Sequence, residues 1–289
     1  NSKQRNLEII LGSNFKNAKI DNQDIHKISE FVGLLNVVVF IPDDLYLVKG
    51  NPSNRRRFID LEISKISPIY VFNLSKYSNL LKERNKYLKI LNKKNSSGDE
   101  YLEVLDEQLS KLQVELIKKR LQFISRLDQK VSLIYQKIAQ KDNEAIKLRY
   151  SCFLKDDLNY ENILNLYKKN HRRDIKYMQS HIGIHKDDLK IYMNDNDACL
   201  YASQGQQRTV VLSLKIALIE LIKEEIGEYP VLLLDDVLSE LDKTRKNMLL
   251  DILNQKIQTF ITTTSIDDIN HQIIERAKKI YIESGKEAT

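Results

Sequence analysis

The sequence predicts an α/β protein: a parallel sheet flanked by helices, with an antiparallel helical arm inserted into it. Three observations carry this. Over the last third, helix-like and strand-like segments alternate: a helix over 206–225, a strand over 231–234, a helix over 243–254 and a strand over 259–262. That alternation is the pattern of parallel βαβ units. Between Gly98 and Gly183 there is neither glycine nor proline, the two residues that most often interrupt helices. Residues 1–68, by contrast, read as short strands with turns, with aliphatic runs at 7–11 and 37–41 bounded by Gly12 and Pro42.

The run at 37–41 is apolar on both faces, which predicts a strand enclosed from both sides. A helix is expected over 73–91, and the polar stretch 92–99 reads as a turn. Beyond it, Leu102, Leu105, Leu109, Leu112 and Leu116 recur at spacings of three and four, continued by Phe123, Leu127, Val131, Ile134 and Ile138. This predicts one amphipathic helix of roughly 40 residues, about 60 Å long at 1.5 Å per residue. The stripe is read as the core of a helical subdomain in preference to a protruding coiled coil. Residues 146–150 alternate as a half-buried strand does, and 161–179 read as a helix. Segments 189–193 and 198–201 flank Asn194-Asp195-Asn196-Asp197, a hairpin signature. The expected organisation is a strand-rich part of a first lobe over 1–68, an arm over 69–143 and the rest of the head over 144–289.

Composition narrows the function classes. The chain has 289 residues, 42% hydrophobic and 30% charged, enough for one large or two smaller domains. Mean hydropathy is −0.42, and no apolar run approaches the roughly 20 residues a membrane span needs. No secretion signal opens the chain, which begins at Asn1 and is expected to be a fragment. Cys152 and Cys199 stand alone and far apart, which argues against a disulfide scaffold or a four-ligand zinc site and fits a reducing cytosol. A net charge of +6 with a pI near 9.0 permits a polyanionic partner without requiring one.

The strongest chemical signal is Val231-Leu232-Leu233-Leu234-Asp235-Asp236: a buried strand ending in two adjacent carboxylates. In open α/β sheets ligands bind at that carboxyl edge. One carboxylate there can hold Mg²⁺, and its neighbour can orient or deprotonate an attacking water. Directly after comes Val237-Leu238-Ser239-Glu240-Leu241-Asp242. About thirty residues upstream, Ser203-Gln204-Gly205-Gln206-Gln207-Arg208-Thr209 opens an apolar helix whose start offers amide groups and a positive dipole end to an anion.

In this order and spacing the three elements resemble the signature motif, Walker B strand and D-loop of SMC-like, ABC-type ATPases. That implies an ABC-ATPase-like head with the sheet of the P-loop NTPases. With Gly183-Ile184-His185-Lys186-Asp187-Asp188-Leu189, the run 258–264, the stretch 38–45, Gly50 and Arg55-Arg56-Arg57-Phe58-Ile59-Asp60, the chain resembles the RecF family over nearly its whole length. The resemblance implies that Asp235 helps hold Mg²⁺ and that Asp236 serves the hydrolytic water. Ser203, Gln204, Gly205 and Gln206 would face the γ-phosphate of ATP bound by a second subunit, and Ser239 and Asp242 would cross the dimer interface. It further implies a cytoplasmic protein of DNA damage repair, replication and the SOS response. Such a protein forms an ATP-dependent homodimer on single- and double-stranded DNA and works with RecO and RecR to load recombinase at gaps.

There are departures from the family pattern. No GxxxxGK[ST] phosphate loop occurs in the 289 residues, and Gly285-Lys286 has neither its spacing nor its setting. The chain is therefore expected to lack an N-terminal segment and to be inactive alone. Thr262, Thr263 and Thr264 stand where many ABC ATPases carry a histidine, and Ile184 and Lys186 where the family shows Pro and Arg. His181 and His185 are four apart, but Gly183 between them opposes a metal-binding helix face. Asp195-Asn196-Asp197 lacks the glycine and terminal glutamate of a calcium loop. Arg55, Arg56 and Arg57, and Lys168, Lys169, Arg172 and Arg173, are candidate DNA phosphate contacts weighed against solvated charge runs. Two alternatives compete: another SMC-like subunit, usually with a far longer coiled coil, and a DNA- or protein-binding module with a vestigial nucleotide site.

Overall fold

The computed structural model describes residues 5–13, 15–25, 33–141, 143–253, 257–265 and 275–288. Strands β1 (Leu7–Leu11), β2 (Lys16–Ile20) and β3 (Gln23–Asp24) form an antiparallel meander. Strand β4 (Val37–Phe40) leads through a single 3-10 turn into α1 (Tyr46–Lys49), α2 (Pro52–Ile66), α3 (Pro68–Lys93) and α4 (Glu100–Ala139). Next come β5 (Ile146–Ser151), α5 (Tyr160–Tyr177), β6 (Asp188–Met193), β7 (Asn196–Asp197) and α6 (Ala198–Tyr201). The chain continues through α7 (Gln204–Ile226), β8 (Val231–Asp235), α8 (Lys243–Leu253) and β9 (Thr259–Thr262) to the hairpin β10 (Tyr281–Glu283) and β11 (Lys286–Ala288).

Strands β4, β8 and β9 make a parallel sheet with β8 in the middle, Phe40 level with Leu234 and Asp235 level with Thr262. Val38, Phe40, Leu232 and Leu234 are buried against Leu212, Ile216 and Ile219 of α7. The other face, with Val37, Val39, Val231 and Leu233, is only half-buried. The expectation of a 37–41 strand enclosed on both sides is thus met on one side, because the described helices pack on one face.

Helix α7 is apolar all round because it is the middle layer. Its other side, with Val210, Leu214, Ala217 and Leu221, packs on Phe123, Ile124, Leu127 and Val131 of α4. Ser203 caps its start and Gly227, at φ 86°, ends it. Helix α4 runs 40 residues from an Asp99 cap to Gln140 in the left-handed region. Its near half lies on α7 and β5, and its far half carries α3 and α5. The arm is continuous with the core of the head.

Along the apolar stripe of α4 runs a buried polar line at intervals of seven: Asp106, Gln113 and Arg120. Each reaches a different element. Asp106 accepts from Arg84 Nε at 2.5 Å and contacts His171 Nε2 at 2.6 Å. Gln113 donates to Tyr167 Oη at 2.9 Å and accepts from the Ile184 amide at 3.0 Å. Arg120 pairs with Asp60 at 2.7 Å and donates to the Ile184 carbonyl at 2.9 Å. Buried polar groups are tolerated when bonded in this way, and they fix register as apolar contacts do not.

Two expectations are corrected. Residues 52–66 are not strand and turn but helix α2, started by Pro52 and buried at Arg55, Phe58, Ile59, Glu62 and Ile63, a helical spacing interleaved with charge. The hairpin of β6 turns at Asn194-Asp195, both with positive φ, so its return strand is Asn196–Asp197. Residues 198–201 are instead a helical turn, where Asp197 accepts from the Cys199 amide at 2.9 Å. The last residue of the expected 243–254 helix lies outside the described residues. No described helix is long and apolar enough to cross a membrane.

Candidate functional site

The carboxyl edge of β8 places Asp235 in the open, beyond the buried Leu234. Its Oδ1 accepts a hydrogen bond from Thr262 Oγ1 at 2.7 Å across the strand pair. At Asp236 the chain leaves the sheet with φ 51°, the left-handed region that costs an L-residue roughly 1–2 kcal/mol. The Asp236 amide donates to Thr262, to the carbonyl at 3.2 Å and Oγ1 at 3.1 Å, and its carbonyl accepts from Ser239 Oγ at 2.7 Å. Its carboxylate Oδ1 is buried with no hydrogen-bond partner among the described residues. A strained backbone holding an unsatisfied carboxylate oxygen is costly unless something else uses that oxygen. Thr262, to which no role was assigned from sequence, is the residue that orients both acids. The signal was its position at the end of the neighbouring parallel strand.

Asp236→Gly is accordingly expected to stabilise the fold by about 0.5–1 kcal/mol, because glycine accepts the left-handed backbone and removes the orphan oxygen. Chemical denaturation measures this. A clear loss of stability would mean that the carboxylate is a structural group.

The start of α7 lies in the same head, with Ser203 and Gln204 exposed and Gly205 half-buried. Ser203 Oγ accepts from the Gln206 amide at 3.3 Å, while Gln206 Oε1 accepts from the Ser203 amide at 2.8 Å, a reciprocal capping box. Gln206 Nε2 donates to Glu144 at 3.0 Å. Burial raises the Glu144 pKa, but bonds from Lys141, Tyr135 and Gln206 outweigh it and hold the carboxyl below its ordinary value. The Gln206 side chain is thus spent inside the fold, and what this helix offers an anion is Ser203 and the backbone of its first turn. A Cβ on Gly205 would find its nearest neighbour, Arg245 Nη1, at 4.0 Å, so the backbone there is open to approach. Asp242 Oδ1 accepts from the Arg245 amide at 3.0 Å and Oδ2 pairs with its guanidinium at 2.7 Å, which starts α8, and Ser239 is exposed.

The arginine run divides. Arg55 is corrected: it is buried in a two-pronged pair with Asp188, at 2.7 and 2.9 Å, and also donates to the Gly50 carbonyl. It fastens α2 to β6 and is withdrawn as a DNA contact. Arg56 donates to the Asp187 carbonyl at 2.8 Å, and Arg57 is exposed. Lys168, Lys169, Arg172 and Arg173 are exposed on α5, with Lys168 3.6 Å from Glu103. His181 and His185 do not converge. His181 Nδ1 contacts Asp174 at 2.9 Å, while His185 sits between Tyr77 Oη at 2.7 Å and the Ser180 carbonyl at 3.2 Å. That carbonyl only accepts, so His185 Nε2 bears the proton and Nδ1 accepts from Tyr77. Burial pushes the His185 pKa down to about 4. Among the described residues no cluster of three His, Cys, Asp or Glu is placed to hold a metal ion.

A parallel sheet ending in paired acids, with a capped glycine-containing helix start and a helical arm set into the lobe, is the fold of an ABC-type ATPase head. No family model matches the chain. It is 44% identical over 287 residues to the DNA replication and repair protein RecF of Macrococcus caseolyticus, covering 98% of this chain and 78% of that one. To RecF of Staphylococcus carnosus it is 42% identical over 286 residues, covering 97% and 77%. A solved structure of the recombination mediator protein RecF-ATP in the RecFOR pathway superposes with a TM-score of 0.84 at 35% identity, over 92% of this chain and 72% of that one. The chain belongs to the RecF family.

Proposed function

We propose that this chain is the signature-and-acid portion of an ATP-dependent, dimerising DNA repair and replication mediator. The observation that carries the reading is the pair of acids at the sheet edge, with Asp236 Oδ1 left without a partner among the described residues. The donor set fits Mg·ATP. Magnesium is usually held by one or two carboxylates together with phosphate oxygens and water, and Asp235 is exposed for that role. The metal would supply charge neutralisation at the phosphates. Asp236 would orient and accept a proton from the water. Ser203, Gln204 and the Gly205 backbone would meet the triphosphate of a second subunit, and Ser239 and Asp242 would pass between subunits. DNA, RecO and RecR are the partners the family reading brings.

Because no GxxxxGK[ST] stretch is present, this chain by itself is expected to turn over no ATP and to offer only the second-subunit side of the site. Mixed with RecF of Macrococcus caseolyticus, it is expected to associate when ATP is added. Ser203→Arg, which puts bulk at the facing phosphate, is expected to weaken that association at least about tenfold, or roughly 1.4 kcal/mol. Sedimentation velocity reads this out. Association indifferent to ATP or to Ser203→Arg would overturn the proposal, as would turnover by this chain alone that Asp236→Asn abolishes.

A further inference from the structure

The chain's positive charge is not spread evenly. Helix α3 carries six basic residues and one acid, α5 five basic residues and two acids. Together they amount to +8 when the whole chain is +6, so everything outside these two helices is slightly acidic. On α3, Lys82, Lys86, Lys89 and Lys93 recur at spacings of four, three and four and are all exposed. At 100° per residue they fall within an arc of about 60° opposite the buried Arg84. On α5, Lys169, Arg172 and Lys176 form a matching exposed line opposite the buried Asp174.

Helices α3 and α5 are joined through Arg84–Asp174 at 2.8 Å, so the lysine line of α3, on the opposite side of that helix, faces away from α5 and out of the arm. Among the described residues none of these seven cations is ion-paired. The single acid of α3, Glu83, is held by the Tyr101 hydroxyl. Several cations elsewhere are matched: Arg55 with Asp188, Arg120 with Asp60, Lys130 with Glu224, Lys215 with Asp44. A concentrated row of unmatched lysines repels itself and persists best where an anion takes it up. Lysine is depleted at protein–protein interfaces, whereas a polyphosphate rewards it at every contact.

We infer that the outward lysine line of α3 binds the sugar-phosphate backbone of duplex DNA. Its four lysines meet phosphates only, and the bases go unread. This rests on the DNA part of the preceding proposal and locates it on the arm. The α3 line spans about 16 Å, long enough to meet several phosphates of one groove edge.

The test titrates a fluorescein-labelled duplex of random sequence with this chain at several salt concentrations. Each phosphate contact adds about 0.9 to the slope of log affinity against log salt. Changing Lys82, Lys86, Lys89 and Lys93 together to Gln is expected to lower that slope by about 3 and low-salt affinity by about a hundredfold or more. Changing Lys118 and Lys119 of α4 to Gln should do neither. All are exposed, so circular dichroism should be unchanged. A native chain that ignores DNA at low salt would sink the DNA part of the preceding proposal. A native chain that binds, with a quadruple variant of undiminished slope, would sink this location alone. Binding that depends on the lysines but is specific for polyglutamate would mean an acidic protein partner and overturn the inference.

Discussion

Replacing Arg84 by methionine is expected to cost about 3–5 kcal/mol of folding stability, the loss typical when one partner of a buried ion pair is removed. Arg84, Asp106 and Asp174 are all completely buried. The guanidinium spends Nε on Asp106 at 2.5 Å and Nη1 on Asp174 and on Ser180 Oγ, both at 2.8 Å, and stacks 4.7 Å from the Tyr167 ring centroid. Burial opposes its charge, yet the two carboxylates outweigh burial and raise its pKa further. Without the arginine, two carboxylates remain in the arm with His171, His181 and the His181 amide beside them. Urea denaturation of this chain measures the loss. Arg84→Met combined with Asp106→Asn and Asp174→Asn is expected to recover most of it, since the penalty is uncompensated charge. A loss below about 1 kcal/mol for the single variant would show that water enters and solvates the acids.

Gly183→Ala is expected to be comparably severe, about 4 kcal/mol, from backbone strain and overpacking acting together. Gly183 sits at φ 127°, and a Cβ there would lie 2.6 Å from Tyr77 Oη, 2.9 Å from His185 Nδ1 and 3.0 Å from Gln113 Oε1. Those atoms are held in place: Gln113 Oε1 takes the Ile184 amide, and Tyr77 donates to His185. Gly227→Ala is the control. Its φ of 86° is also strained, but nothing among the described residues lies within 4 Å, so about 1 kcal/mol is expected. Equal losses at the two positions would mean that strain alone matters and that the Tyr77–His185–Gln113 cluster yields.

Much of the site was legible because its elements are local. A strand that ends in Asp235-Asp236, and a Ser203 cap with Gln206 three residues on, are short-range patterns that tertiary context does not rewrite. Arg55 was misjudged because its partner, Asp188, lies 133 residues away. Thr262 went unassigned because its role arises only when β9 pairs in parallel with β8. The polar line on α4 escaped notice because the leucine stripe that carries it reads as uniformly apolar from a distance, although Asp106, Gln113 and Arg120 keep the same period.

Sequence alone determined the alternation of helix and strand from α7 to β9, the length of α4 and the family, since periodicity, caps and motif spacing are properties of neighbouring residues. Only the tertiary structure decided which charges are spent and which are free. Arg55, Arg84 and Arg120 close buried pairs, while the lysines of α3 face water, and identical side chains differ in function by the dielectric around them and the acids within reach.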